Sequence, residues 1–433
     1  MKKSVLTNAM IALLLLAPMA ASAQNAHSAT YEGNKAKIEE WKNDRFGMFI
    51  HWGPVTLTGH EISWSRGTQT PVEEYDQLYK RFNPVNYDPD AWVSLAKAAG
   101  MKYIVLTTKH HDGFCLWPTR QTDYNIMSTP YKEDIVKKLA DACHRQGIKF
   151  GVYYSTCDWH NPDFPLTSPR GNVVREKSNL DAYTSYLKRQ VGELMVNYGP
   201  LYVLWFDVPQ KFDKQRGQGV LDFLRAMQPD IIVNNRTGAP GDFDTPEQHI
   251  GSYNDARPWE TCMTIADQWS WKPNDKVKSL EKCIDALVRS AGGDGNFLFN
   301  VGPKPDGTIE PEQVERLKEM GKWMDAYGQA IYGTRGGPFK PAEWGASTRK
   351  GDKIYVHVLK WNNSDMILPD LGIAVKSARI LGGKKVSVKT KGGNMIIKLS
   401  QKMIKPIDTI VELTMAEDVM SVPAVAMAEA KKK

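Results

Sequence analysis

The chain has only five cysteines, and none of them stand in CxxC spacing. Cys115, Cys143, Cys157, Cys262 and Cys283 are scattered and odd in number, so no disulfide framework organises the fold. No GxGxxG follows any strand-like run, which argues against a dinucleotide cradle. Neither HxH nor HExxH spacing occurs, and the adjacent His110 and His111 would point to opposite sides of an extended chain, so no metal is predicted. The expectation is therefore a protein without metal or cofactor. The formal charge is +7, but Lys2, Lys3 and Lys431 to Lys433 supply part of it and no basic run occurs, which makes nucleic acid a poor partner. Beyond the N-terminal stretch no apolar run is long enough to span a bilayer.

What the sequence does contain begins with a leader pattern. MKKSVLTNAMIALLLLAPMAASAQ combines a basic start, a short apolar run and small residues up to Ala23. That pattern predicts a signal peptide over residues 1–23, cleaved after Ala23, and hence a periplasmic or secreted protein.

From residue 36 to 335 short β-branched or aromatic runs alternate with segments of helical period. FGMFIHWG (46–53), KYIVLTT (102–108), KFGVYYS (149–155), LYVLWFD (201–207), DIIVNN (230–235) and NFLFNVG (296–302) are the strand candidates. The intervening segments carry apolar residues three and four apart, and several end in Gly. Repeated strand-helix units over 24–340 predict a (β/α)8-like barrel, whose functional groups gather where the strands end. After IYGTRGGPF the texture changes to short alternating strands with Gly, Asn and Lys-rich turns, which predicts a C-terminal antiparallel β-sandwich over 341–415. The Ala, Met, Glu and Lys-rich tail, 416–433, is expected to be disordered.

The strand ends carry the chemistry. His51 and Trp52, then His110, His111 and Asp112, then Tyr153 and Tyr154, then Asp207, then Arg236 follow one another along the chain. Aromatic faces suit the C–H side of a sugar, and His and Arg suit its hydroxyls. Asp207 ends YVLWFDVPQ, where Pro209 stops the ladder and leaves the carboxylate on a rigid element, as a nucleophile, a helix N-cap or one half of a buried salt bridge. Its partner is sought in RPWETCMTI, where Trp259 beside Glu260 would desolvate an acid and raise its pKa. Glu247 and Asp112 compete with Glu260 for that place.

The runs RFGMFIHWG, TTKHHDGFCLW, GVYYS, VLWFD, PWETCMTI and GNFLFNVGPKPDG, in this order, resemble the α-L-fucosidases of glycoside hydrolase family 29. The resemblance implies a retaining exo-α-L-fucosidase acting on fucosylated oligosaccharides or glycoconjugates, with Asp207 as nucleophile and Glu260 as acid/base. It also implies sugar contacts from His51, Trp64, His110, His111, Tyr153, Trp205 and Arg236. Tyr154 is a one-residue alternative to Tyr153. Two departures stand beside the site: Ser63 precedes Trp64 where family members often have Glu, a contact for His60 or Glu61 to replace, and Val208-Pro209 follow Asp207 where a small residue is common.

Overall fold

A computed structural model of the chain describes residues 34–166, 175 and 177–426; the leader pattern lies outside them. Seven parallel strands form one curled sheet in the order β5-β4-β3-β2-β1-β7-β6. They are β1 Phe46–Ile50, β2 Tyr103–Lys109, β3 Lys149–Ser155, β4 Val203–Asp207, β5 Ile232–Val233, β6 Glu260–Thr264 and β7 Asn296–Val301. Almost every residue of these strands is buried, because helices cover the outside and aromatic side chains fill the inside. Phe49, Tyr103, Tyr153, Trp205 and Leu298 belong to the inner cluster.

The covering helices begin where the sequence places short polar caps. Asp88, Asp134, Asn179, Asp213 and Ser279 each accept a backbone N–H of the first turn. The helix Ile135–Gln146 ends on Gly147 at φ 70, the left-handed stop that glycine adopts without penalty.

The gap between β5 and β6 is closed by an irregular eighth stave, residues 242–248. Parallel bridges join Asn234 to Phe243 on one side, and Asp244 to Trp259 and Glu247 to Cys262 on the other. Pro246 has no N–H to give a ladder, so the segment pairs only at intervals. Asp242 pins its start: its carboxylate accepts from the Val233 N–H at 2.9 Å and pairs with Arg225 at 2.7 Å. Gly241, at φ 56, precedes it, and a Cβ there would run into the Asn234 carbonyl.

β6 was not among the expected strands, and its direction corrects the reading of Glu260. This residue opens β6 opposite Asn296, the first residue of β7, on the floor of the barrel. Asp207 closes β4 at the other end, and the length of β6 alone puts Glu260 roughly 13 Å below the rim. Glu260 is fully buried; the Tyr103 hydroxyl donates to its Oε2, and the indoles of Trp41 and Trp205 lie alongside. Desolvation is the dominant influence and pushes its pKa up to about 8.

After the barrel, β8 Arg335–Gly336, β9 Gly345–Lys350, β10 Lys353–Val358, β11 Met366–Pro369, β12 Val375–Ile380, β13 Val388–Lys391, β14 Asn394–Ile397 and β15 Thr409–Met415 form two antiparallel sheets. The larger runs β12-β15-β10-β9-β8, the smaller β11-β14-β13, and a second apolar core lies between them. The segment expected to be a loose tail is packed in part. Val419 is buried and Val425 bridges Phe339, because the apolar residues of 416–426 cover the sheet edge. Residues 427–433 lie outside the described residues.

Two outcomes follow. Gly241→Ala is expected to lower stability by ~1–3 kcal/mol, read as a fall in the denaturation midpoint at constant slope. For Glu260 the folded pKa is raised, so its stabilising contribution is complete below the unfolded value of ~4.3 and is lost as pH rises through about 8. Glu260→Gln removes that loss: its melting temperature relative to wild type should climb between pH 5 and 8, and a pH-independent difference would contradict the burial argument.

Candidate active site

The pocket at the C-terminal mouth of the barrel is lined by His51, Trp64, His110, Tyr153, Trp205, Asp207 and Arg236, all expected from the sequence. Phe49, Val208, Glu247, Cys262 and Trp269 complete it. Glu260 is not among them. His111 stands behind the lining, its Nε2 3.7 Å from Asp207 Oδ2.

Strand alternation decides which neighbour faces inward. Tyr153 points into the barrel, and its hydroxyl donates to Asp207 Oδ2 at 2.8 Å. Tyr154 points outward to Gln190, with the Lys109 ammonium over its ring. Asp112 is taken by the Tyr75 hydroxyl at 2.7 Å and does not reach the pocket. Glu61 and His60 are not in the pocket lining: Glu61 accepts the backbone N–H groups of Trp269 and Ser270, holding the loop that carries Trp269, and His60 meets Thr70.

Asp207 is held at both ends. Its carbonyl accepts from the backbone N–H and the hydroxyl of Thr156, and its Oδ1 accepts from the Val208 N–H at 2.8 Å and from Arg236 Nη1 at 2.8 Å. Burial opposes its charge, but the neighbouring His111 ring, the Arg236 guanidinium and the hydrogen bonds from Arg236 and Tyr153 outweigh it and hold the pKa below the ordinary value. The carboxylate does not cap a helix. Val208 adopts φ 50, a conformation that a β-branched residue occupies only under constraint, and the Cys157 thiol donates to its carbonyl.

Arg236 joins this group to the eighth stave. The same Nη1 that meets Asp207 donates to Glu247 Oε2 at 2.9 Å, while Nε and Nη2 are anchored on Thr245. Its guanidinium lies 4.9 Å over the Trp205 ring. Glu247, with a side chain 40 % exposed, therefore faces the same opening as the nearly covered Asp207. The sequence offered a weak signal for it, a glutamate next to Pro246, because the stave has no strand periodicity.

The three histidines are buried. Desolvation lowers the pKa of His51 to about 4 and of His111 to about 4, and that of His110 well below the ordinary value, so all three rings are neutral at pH 7. His110, His111 and Asp207 place one donor atom each within 4.8 Å of one another, a grouping with the reach of a metal site. Asp207 is already satisfied by three hydrogen bonds, and Arg236 brings a positive charge against it; both oppose a cation.

Chemically the arrangement offers a fixed, ionised carboxylate, a second carboxyl at the opening, neutral hydrogen-bonding rings and apolar walls. A family model described as alpha-L-fucosidase matches residues 14–329. Human plasma alpha-L-fucosidase is 30% identical over 408 residues, covering 82% of this chain and 85% of the relative. Among solved structures, alpha-L-fucosidase isoenzyme 1 from Paenibacillus thiaminolyticus superposes with TM-score 0.82 at 35% identity, covering 89% of this chain and 100% of the other. A family 29 alpha-L-fucosidase from Bacteroides thetaiotaomicron, trapped as a covalent intermediate with 2-fluoro-fucosyl fluoride in a glutamate-to-glutamine mutant, superposes with TM-score 0.79 at 27% identity over 88% of this chain and 96% of the other. With the barrel, its C-terminal β domain and this pocket, the chain belongs to the α-L-fucosidases of glycoside hydrolase family 29 and is an enzyme of that class.

Proposed function

We propose that the enzyme is a retaining, exo-acting α-L-fucosidase in which Asp207 is the nucleophile and Glu247, not Glu260, is the acid/base. One observation carries the pairing. A single nitrogen of Arg236 binds Asp207 Oδ1 at 2.8 Å and Glu247 Oε2 at 2.9 Å. Those oxygens can be no further apart than the two hydrogen bonds laid end to end, which falls short of the ~6.5 Å lower bound for an inverting pair.

In the first step the Asp207 carboxylate attacks the anomeric carbon as Glu247 protonates the departing glycosidic oxygen. The glycosyl ester so formed is then hydrolysed by water whose proton returns to Glu247. Atoms and charge balance without a cofactor. Terminal fucose of an oligosaccharide or glycoconjugate fits a pocket closed below by the packed barrel, with His51, His110 and Arg236 toward the hydroxyls and Trp64, Trp205 and Trp269 toward the apolar side. The leader pattern supports export to the periplasm or the medium.

Kinetics separate the two glutamates. Asp207→Ala is expected to lose turnover of 4-nitrophenyl α-L-fucoside by ~10⁴-fold or more with the sugar still bound. Glu247→Ala should slow substrates with poor leaving groups by ~10²–10⁴-fold and recover on an activated substrate with azide. Glu260→Gln should stay within ~10-fold of wild type. Azide rescue of a Glu260 variant and none of Glu247→Ala would overturn the assignment.

A further inference from the structure

Each pocket histidine uses its inner nitrogen, Nδ1, on a buried polar partner, and the three partners are of two kinds. His51 Nδ1 lies 2.6 Å from Asn300 Oδ1. The Asn300 amide nitrogen donates to the Trp269 carbonyl at 2.7 Å, a group that only accepts, so the oxygen is the atom facing His51. An amide oxygen also only accepts. His51 must therefore carry its proton on Nδ1, which leaves Nε2 as a bare acceptor.

His110 is wired the other way. Its Nδ1 lies 2.6 Å from Ser63 Oγ, and that hydroxyl already accepts the Asp112 N–H at 2.9 Å. The Ser63 proton has two acceptors within reach, the His110 Nδ1 lone pair at 2.6 Å and the Asp112 carboxylate; the carboxylate already accepts the Tyr75 hydroxyl and the Phe114 N–H, which favours the His110 lone pair for the serine and places the imidazole proton on Nε2. The serine is itself held in place: it is fully buried at φ 56, and its N–H donates to the Tyr75 hydroxyl, which in turn donates to Asp112. The same device recurs one residue later. His111 Nδ1 lies 2.7 Å from Ser155 Oγ, which accepts the Cys157 N–H at 3.0 Å. His111 then presents Nε2–H toward Asp207.

We propose that Ser63, Ser155 and Asn300 are positioning residues that assign the protons of the three pocket histidines, so that His51 offers an acceptor while His110 and His111 offer donors. The proposal deepens the fucosidase reading and rests on it for the ligand: a neutral polyol with one hydroxyl donating to His51 and one accepting from His110. It also sets a neutral ring, its Nε2 3.7 Å from Asp207 Oδ2, beside the carboxylate instead of an imidazolium that would quench its negative charge. Burial supports the wiring, because desolvation keeps the rings neutral and a neutral ring must choose one nitrogen.

The test is nitrogen NMR of the full chain labelled with ¹⁵N-histidine at pH 7, the pocket rings being assigned by His51→Asn, His110→Asn and His111→Asn. Pyridine-like Nδ1 and pyrrole-like Nε2 resonances are expected for His110 and His111, and the reverse for His51. Ser63→Ala should turn His110 alone into a tautomer mixture and raise KM for the fucoside ~5–10-fold, as for one lost neutral hydrogen bond, with kcat less affected. Ser63→Gly, which relieves the positive φ, gives the same readout if Ala impairs folding. Ser155→Ala should do the same to His111, and Ser155→Thr, which keeps the hydroxyl, should restore it. Wild-type His110 with its proton on Nδ1, or a Ser63→Ala spectrum identical to wild type, would overturn the proposal. The expected spectra without turnover of any α-L-fucoside would sink the functional reading and leave the wiring intact.

Discussion

The barrel closes through a stretch that is barely a strand, and the site depends on that closure. Residues 242–248 supply the missing stave between β5 and β6, and they carry Thr245, which anchors Arg236, and Glu247, which Arg236 binds. If the stave shifted, the guanidinium would lose its anchor and Asp207 its ion-pair partner. An irregular backbone serves here because a regular strand would face every second side chain into the barrel interior. The intermittent pairing frees Glu247 to reach the opening.

Charge is distributed sparingly around the pocket. One guanidinium faces two carboxylates, and the remaining polar groups are neutral rings and hydroxyls. Asp207 is the fixed negative charge among them, paired with the Arg236 guanidinium. The buried acid Glu260 belongs to a different balance. On the barrel floor it is protonated at neutral pH and packs among Tyr103, Trp41 and Trp205 as a polar filler of the inner core.

Much of this was legible in the chain itself. Six of the seven parallel strands follow from apolar runs with turn residues after them, and the pocket members His51, His110, Tyr153, Asp207 and Arg236 follow from standing where such runs end. Glu260 misled for a physical reason. Its chemistry suits an acid, with an adjacent Trp and a buried setting, but sequence does not say at which end of a strand a residue lies when the strand itself, ETCMT, is short and half polar. Glu247 was hidden by the reverse problem, since Pro246 and its polar neighbours erase the alternation that would mark a stave. The serine partners of the histidines were equally unreadable, because Ser63 and His110 meet only through a fold that brings two loops together.

Val208 links the covalent backbone to the site's precision. A β-branched residue at φ 50 is held there against its own preference, by the Cys157 thiol on its carbonyl and by its N–H on the carboxylate before it. The same N–H that keeps the turn in place also fixes one oxygen of Asp207, so conformational ease and aim are coupled. A chain selected only for robustness would place glycine here. This one keeps a bulky side chain on the pocket wall and tolerates the local tension, which makes the turn a point where evolution can trade thermal margin against the shape of the pocket.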